Sequence, residues 1–319
     1  MVPNAVVKAL ATPAQEVPSG IRRVRADVAS RKGTGVHVAI IDTGIDTSHP
    51  DLAANIAGGF NCSDGPSAAF QDGNAHGTHV AGTVAALDNS LGVVGVAPQA
   101  KLWAVRVLDD FGSGSDASVI CGIDFVTSKG PANGGPIKVA NMSLGRRGVA
   151  DKACGTQNND PMHAAICRSR DAGVTYVVAA GNSASDASTF VPAAYADAVI
   201  TVSALADSDG APLSAGAVTE HAADDTFALF SNFGSVVDLA APGAAILSTS
   251  PAAKYRTLSG TSMASPHVAG AAALFIQVNP TATFQQVRDG LKARGERLGQ
   301  GHTDPFSLDF EPVLQVNGI

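Results

Sequence analysis

One serine of this chain stands where nucleophilic chemistry is possible. Ser262 lies in "LSGTSMASPHVAG", between a glycine-rich approach and a run of small residues. A serine hydroxyl attacks a carbonyl only if a base takes its proton, a third group orients the base, and hydrogen-bond donors stabilise the oxyanion that forms. A helix that begins at Ser262 would direct free N–H groups toward that oxyanion, with Pro266 tolerated in its first turn. The plainer interpretation is a helix N-cap serine followed by tight packing.

The base is expected to be His76, in "NAHGTHVAGTVAAL", because small neighbours let it project from the first turn of a closely packed helix. His79 is the rival, but its place one turn inward favours a packing role. His267 is too close in sequence to Ser262 to reach its hydroxyl easily. Asp42 follows four apolar residues, so its carboxylate is partly buried and needs a partner such as a histidine ring N–H. A turn-capping aspartate is the alternative.

The elements that must position these residues alternate between strands and helices. This alternation predicts an α/β fold of three layers, with a mostly parallel central sheet and helices on both faces. Ligands collect at the carboxyl ends of such strands. Asp42, the segment Ser143–Gly145 and Asn182 follow strands there, and His76 and Ser262 lie at helix starts. The expected strands are 35–42, 101–108, 137–144, 174–182, 198–205 and 236–243; the expected helices are 76–87, 116–129, 161–172 and two that begin near 262 and 284.

Composition limits the classes of function. Of the 319 residues 15% are charged, and the net charge is −7, so a nucleic-acid partner is not expected. The longest apolar stretch, 269–278, is too short to span a bilayer, so no membrane partner is expected either. The N-terminal residues lack the basic region and apolar block of a secretory signal. A single catalytic domain, in a monomeric protein, is the resulting prediction.

The four cysteines show no C-x-x-C spacing, which makes a zinc site a weak interpretation. Two disulfides are favoured, and Cys154 and Cys167, which flank a polar loop, form a plausible local pair. Four buried thiols remain the alternative. Disulfides would indicate an oxidising compartment and therefore secretion.

Three blocks, "AIIDTGID", "HGTHVAG" and "GTSMASPHVAG", resemble in this order the signature blocks of the subtilisin-like serine proteases. The α/β-hydrolases differ, because their order is Ser, Asp, His and their motif is G-x-S-x-G. The resemblance covers about residues 15–280. It implies a serine endopeptidase that forms an acyl-enzyme on Ser262, with His76 as base, Asp42 as its orienting group, and Asn182 and the Ser262 N–H as oxyanion donors. An inactive binding module and a serine esterase on another fold are the alternatives.

The resemblance also implies a groove for extended or unfolded polypeptides. Its two walls would expose backbone groups for pairing with the substrate chain. They are Gly112, Ser113 and Gly114, continuing to Ser115, and Ser143, Leu144 and Gly145. We hypothesise that Asp116, next to the first wall, discourages acidic substrate residues. Phe190 aligns near the base of the primary pocket, where small residues are frequent in the family.

A structural calcium ion is the cofactor that the resemblance implies, because "LDNSLGVVGVAP" is similar to the family's calcium loop. Calcium takes six to eight oxygen ligands. A plain turn is the alternative. The expected ligands are the side chains of Gln15, Asp51 and Asn89 and the carbonyls of Leu87, Leu91 and Val93.

In the implied fold the helix carrying Cys121 crosses the sheet near the strand before Cys62, which predicts a second disulfide, Cys62–Cys121. A free Cys62 thiol is the competing idea. Residues 1–14 resemble the tail of a removed pro-region, and 15–319 would form the catalytic domain. The protein would then be the mature form of a zymogen, and its own pro-domain would act as folding assistant and inhibitor.

Overall fold

The structure is a computed structural model that describes residues 14–213, 216–304, 307–308 and 311–319. The expected pro-region tail, apart from Ala14, lies outside the described residues. The helices are α1 (Ser19–Arg23), α2 (His76–Ala85), α3 (Asp116–Ser128), α4 (Pro161–Asp171), α5 (Thr261–Val278) and α6 (Phe284–Arg294). The strands are β1 (His37–Asp42), β2 (Ile56–Asn61), β3 (Lys101–Arg106), β4 (Ile137–Met142), β5 (Arg146–Arg147), β6 (Thr175–Ala179), β7 (Phe190–Val191), β8 (Val199–Ala206), β9 (Thr226–Phe227), β10 (Leu239–Pro242), β11 (Ile246–Ser250) and β12 (Lys254–Leu258).

A parallel sheet forms the centre of the fold, in the order β10-β8-β6-β4-β1-β3-β2, and β9 pairs antiparallel with the end of β8. Every residue of β8 is buried, and so are five of the six in β1. Continuous apolar strands of this kind are typical of a sheet covered on both faces. Helices α2 and α5 pack together on one face, and α3 and α4 on the other. The predicted three-layer α/β fold is therefore confirmed.

Helix α5 is buried along most of its length, and small residues allow its close approach to the sheet. A Cβ atom at Gly270 would lie 2.6 Å from Val96 Cβ. The placement of Pro266 differs from the prediction. Because α5 begins at Thr261, Pro266 lies in the second turn, where a residue normally donates to the carbonyl four residues earlier. That carbonyl belongs to Ser262, and the Ser143 hydroxyl donates to it instead at 2.8 Å.

Two disulfides join elements on the face that carries α3 and α4. Cys62 follows β2 and pairs with Cys121 of α3; Cys154 pairs with Cys167 of α4. Both pairs are the expected ones, and among the described residues there is no free cysteine. The second joins cysteines that are 13 positions apart in the sequence. Both bridges restrict the unfolded chain and so stabilise this layer.

Candidate active site

Asp42 and His76 meet at the carboxyl end of the sheet. Asp42 is the last residue of β1 and is fully buried, and His76 is the first residue of α2. Asp42 Oδ1 lies 2.7 Å from His76 Nδ1 and accepts a second hydrogen bond from the Thr43 N–H. Burial alone would lower the pKa of His76, but attraction to Asp42 and their hydrogen bond outweigh it, so the pKa is raised. The carboxylate therefore fixes the ring with Nδ1 protonated and leaves Nε2 to act as a base.

Asp72, a residue that the sequence reasoning missed, fastens the loop before His76. Its Oδ1 accepts from the Thr43 hydroxyl and from the N–H groups of Asn74 and Ala75, and its Oδ2 accepts from the N–H and hydroxyl of Thr78. Ala75, with φ of 92°, is held in a strained conformation by these bonds. An aspartate shortly before a helix is the signal that could have found it.

Ser262 is the second residue of α5, at the helix end whose N–H groups have no helical partner. Gly260 precedes the helix with φ of 155°, a conformation that favours glycine. The Ser262 hydroxyl lies 3.3 Å from the Ser143 carbonyl. The nucleophile candidate thus stands in the first turn of α5, beside the segment that ends β4.

The orientation of the Asn182 amide follows from its partners. Asn182 Oδ1 accepts from both the backbone N–H and the hydroxyl of Thr261, each at 2.8 Å. A backbone N–H can only donate, so the amide oxygen must face it and the Nδ2 group turns away. Thr261 is fully buried, and its hydroxyl also accepts from the Gly181 N–H at 3.1 Å. Thr261 is a second residue that the sequence reasoning missed.

Two adjoining cavities open at the surface beside these residues. The larger, of about 480 Å³, includes His76 and the predicted wall Gly112–Gly114. The smaller, of about 290 Å³, includes Ser262 and Asn182. Both include the other predicted wall, Ser143–Gly145. The structure therefore brings His76, Ser262, Asn182 and both predicted groove walls to one continuous surface, with Asp42 buried behind His76.

The comparison with known proteins decides the family. A model of the subtilase family matches residues 33–304 of the chain. The chain belongs to the subtilase family. This subtilase is 41% identical over 292 residues to Subtilisin NAT from Bacillus subtilis subsp. natto. The aligned region covers 90% of this chain and 68% of the relative.

Further relatives agree with the assignment. Subtilisin Savinase from Lederbergia lenta is 42% identical over 289 residues, covering 90% of this chain and 94% of the relative. A crystal structure of a cold adapted subtilisin-like serine proteinase superimposes with a TM-score of 0.75 at 33% identity, covering 93% of this chain and 97% of that one. This subtilase is therefore a serine endopeptidase, a hydrolase with the subtilisin-like fold.

Phe190 and Asp116 lie in the two cavities with partners that the sequence did not reveal. Phe190 lines the smaller cavity, and the Arg147 guanidinium lies 5.1 Å from its ring centroid. Asp116 lines the larger cavity, but its carboxylate is paired with Arg146. The acidic group hypothesised to discourage acidic substrate residues is therefore compensated by an arginine.

The two other histidines considered as catalytic candidates are buried in packing roles. His79 Nε2 lies 3.0 Å from the Ile246 carbonyl and 3.1 Å from that of Arg256, which anchors the β11–β12 hairpin. His267 Nδ1 lies 2.9 Å from the Met263 carbonyl within α5. Burial lowers the pKa of each to about 4. Both rings are consequently neutral near pH 7.

The residues expected to bind calcium lie together beside the N-terminal segment. Gln15 Nε2 donates to the carbonyls of Leu87 and Val93 at 2.7 and 3.2 Å. The buried Asp51 carboxylate accepts from Asn89 Nδ2 and from the Val93 N–H, both at 2.9 Å. Leu91 joins them by donating its N–H to Asn89 Oδ1 at 2.6 Å. Oxygen acceptors thus surround the side-chain amides of Gln15 and Asn89. Rotation of either amide group would exchange its nitrogen for its oxygen and present a further oxygen ligand.

Two other clusters of ligand-type side chains occur in the described part of the chain, each with its ligand atoms within 4.8 Å of one another. One joins the disulfide sulfurs of Cys154 and Cys167 to His163 and Asp197, and the other joins Asp207, Asp209 and Asp224. As for membranes, no helix in the described ranges is long and apolar enough to cross one.

Proposed function

We propose that this subtilase cleaves extended or unfolded polypeptides with Ser262 as nucleophile, His76 as general base and acid, and Asp42 as the group that orients His76. The observation that carries the proposal is the 2.7 Å contact between Asp42 Oδ1 and His76 Nδ1 at the cavity edge. An inactive binding module would not need this pair. The order Asp, His, Ser and the observed fold argue against an esterase on another fold.

The reaction proceeds in two steps. His76 Nε2 takes the Ser262 proton as Oγ bonds to the substrate carbonyl carbon, and the imidazolium, stabilised by Asp42, then protonates the leaving amine. Water attacks the acyl-enzyme in the same way, with His76 again accepting and returning the proton. The negative charge on the former carbonyl oxygen is stabilised by Asn182 Nδ2 and by the Ser262 N–H at the start of α5.

The substrate backbone is proposed to lie between Gly112–Gly114 and Ser143–Gly145. Glycines in both segments leave backbone donors and acceptors within reach of an inserted strand, which gives binding without dependence on sequence. The smaller cavity, which includes Ser262 and Phe190, would take the side chain beside the cleaved bond. Because the bulky Phe190 side chain lines this cavity, we expect a preference for side chains of moderate size there.

The experiment that tests the proposal compares wild type with Ser262→Ala on denatured casein, with and without phenylmethylsulfonyl fluoride. Hydrolysis should be lost in the variant and in the inhibited enzyme, and the inhibitor, losing fluoride, should transfer its phenylmethylsulfonyl group to wild type but not to Ser262→Ala. Ser128→Ala, at the exposed end of α3, is the matched control and should stay active. Hydrolysis that survives Ser262→Ala in folded protein would sink the assignment.

A structural calcium ion is also proposed, held by the Gln15, Asp51 and Asn89 side chains and the Leu87, Leu91 and Val93 carbonyls. The convergence of these groups supports it, since a buried carboxylate, carbonyls and amides are the donor set that calcium prefers. The ion would supply no chemistry to the reaction. It would fasten the segment at Gln15 to the loop after α2 and so add stability.

Secretion, a monomeric state and maturation from a zymogen complete the proposal. Two disulfides support an oxidising compartment. The chain's own pro-domain would assist folding and inhibit the enzyme. The test is to unfold the Ser262→Ala variant in denaturant, with its disulfides intact, and then to remove the denaturant. Spontaneous return of the native near-UV circular dichroism would contradict the need for a folding assistant.

A further inference from the structure

An ion pair joins the two walls of the groove. Asp116 begins α3 directly after the first wall, and Arg146 begins β5 directly after Ser143–Gly145. Arg146 Nε donates to Asp116 Oδ1 at 2.8 Å, and Nη2 donates to Oδ2 at 2.6 Å. Two parallel bonds of this kind fix the relative orientation of both planar groups. A contact across 30 residues of sequence thus connects the walls at the edge of the larger cavity.

The two partners of this ion pair dominate the charge of that cavity. Apart from His76, Asp116 and Arg146 are the ionisable side chains among the described residues that line it. The rest of the lining includes the apolar side chains of Leu108, Val119, Leu144, Met162 and Val191. A substrate side chain that enters this cavity therefore meets apolar groups and one compensated pair of charges.

The pair is held together but remains open to solvent. The side chains of Arg146 and Asp116 are 48% and 45% exposed. The hydrogen bond from Arg146 lowers the pKa of Asp116, and the reciprocal bond raises that of Arg146, so both groups stay charged across the neutral range. Exposed ion pairs are weak, because water competes for both charges. Removing one partner should leave the fold intact and expose the charge of the other.

We propose that Arg146 and Asp116 together set the charge preference of the larger cavity. As a pair they keep the wall neutral, so uncharged and apolar substrate side chains are favoured over both acidic and basic ones. Arg146 alone would select acidic side chains, and Asp116 alone basic ones. This inference rests on the proposed function, since it assumes that a polypeptide lies in the groove.

The experiment measures kcat/KM on sets of internally quenched peptides. Within a set, one position is occupied by leucine, glutamine, glutamate or lysine. From one set to the next, that position moves one residue further from the cleaved bond. At the position that enters the cavity, wild type should prefer leucine and glutamine. Arg146→Gln should raise the lysine-to-glutamate ratio about three- to tenfold, and Asp116→Asn should lower it by a similar factor, the effect expected of one exposed charge. The exchange Asp116→Arg with Arg146→Asp should restore the wild-type ratio.

Arg168→Gln and Asp124→Asn are the matched controls. These residues form an exposed pair between α4 and α3 and line neither groove cavity, yet their replacement changes net charge by the same amount. The controls should leave the ratio unchanged, and the effects at Arg146 and Asp116 should shrink near 1 M salt, where the screening length is about 3 Å. Equal ratios in all variants, or equal shifts in the controls, would overturn the inference while leaving the proposed function intact. No cleavage by wild type of any peptide would overturn both.

Discussion

The Ser143 hydroxyl donates its hydrogen bond to the Ser262 carbonyl at 2.8 Å, the acceptor that Pro266 leaves without a helical donor. With its one proton used there, Ser143 Oγ accepts from Asn141 Nδ2 and from the Ser265 hydroxyl, both at 2.9 Å. The end of β4 is therefore bonded to the first turn of α5. The proline and the serine thus act as a unit that sets the distance between the proposed groove wall and Ser262, the proposed nucleophile.

Ser143→Ala should destabilise the protein by about 1–3 kcal/mol, because the Ser262 carbonyl and the Asn141 amide lose a buried partner. Urea unfolding of inhibited enzyme measures the change. The cost should be smaller when Pro266→Ala is already present, since alanine at this position regains the N–H that bonds the Ser262 carbonyl. Ser113→Ala, on the exposed opposite wall, serves as the control and should change stability little. Additive costs in the Ser143 and Pro266 pair would contradict this coupling.

The raised pKa of His76 gives activity and stability opposite dependences on pH. As the proposed base, His76 must be neutral, so kcat/KM should rise with pH through a midpoint above the ordinary value of 6.5. The contribution of the ionised pair to stability has the other sign. It is complete below pH 6.5 and is lost as pH rises through the folded-state pKa.

Asp42→Asn tests the cause of that shift. The midpoint of the pH–rate profile should fall, and kcat should drop about 10⁴-fold because the ring loses the partner that fixes its tautomer. Asp46→Asn is a useful control, since Asp46 follows the same strand but bonds Ser48 and Ala252. A profile whose midpoint stays in place after Asp42→Asn would show that another group perturbs His76.

The parts of the fold that could be predicted from sequence are those fixed by local pattern. Strand β1 ends at Asp42 and α2 begins at His76, as expected, because two-sided burial and small-residue spacing are legible in the chain. The local pattern did not mark strand β2, since "IAGGFN" contains two glycines and its residues are mostly half-exposed, and only the family resemblance implied a strand before Cys62. The β11–β12 hairpin was missed as well.

The supporting contacts of the site could not be predicted, because they join residues that only the fold brings together. Ser143 meets the Ser262 carbonyl across 119 residues, and Thr261 meets Asn182 across 79. The tolerance of Pro266 in the second turn of α5 depends on the remote Ser143 hydroxyl, which the local sequence does not reveal. The partner of Asp116 is likewise not evident from the sequence, because Arg146 lies 30 residues further along the chain.

Asn182→Ala should lower kcat by about 10²- to 10³-fold with little change in KM, the size of effect that removing this type of donor has in subtilisins. The oxyanion exists only on the way to and from the intermediate, so ground-state binding is spared. Steady-state kinetics on a soluble peptide measures both constants. If KM rose as much as kcat fell, Asn182 would be a substrate-binding residue instead.

Thr261→Val isolates the support for that amide. The variant keeps the backbone N–H to Asn182 Oδ1 but loses the hydroxyl that donates at 2.8 Å to the same atom. We expect a smaller fall in kcat, about tenfold, from a less rigid amide. Thr261→Ser retains the hydroxyl and should recover most of the activity. A Thr261→Ser variant as impaired as Thr261→Val would assign the effect to packing.

Removal of calcium should lower the melting temperature, because an ion that binds the folded state alone stabilises it by mass action, by about 2.7 kcal/mol at a concentration a hundred times its Kd. Differential scanning calorimetry of inhibited enzyme in excess calcium and in excess chelator measures this shift. Asp51→Asn should reduce the shift strongly, since the residue is the buried carboxylate of the expected ligands. Asp209→Asn, in the separate acidic cluster, should retain it. Elemental analysis should first show that the chelated protein holds no trapped calcium. If its melting temperature is then unchanged, the proposed calcium site is wrong.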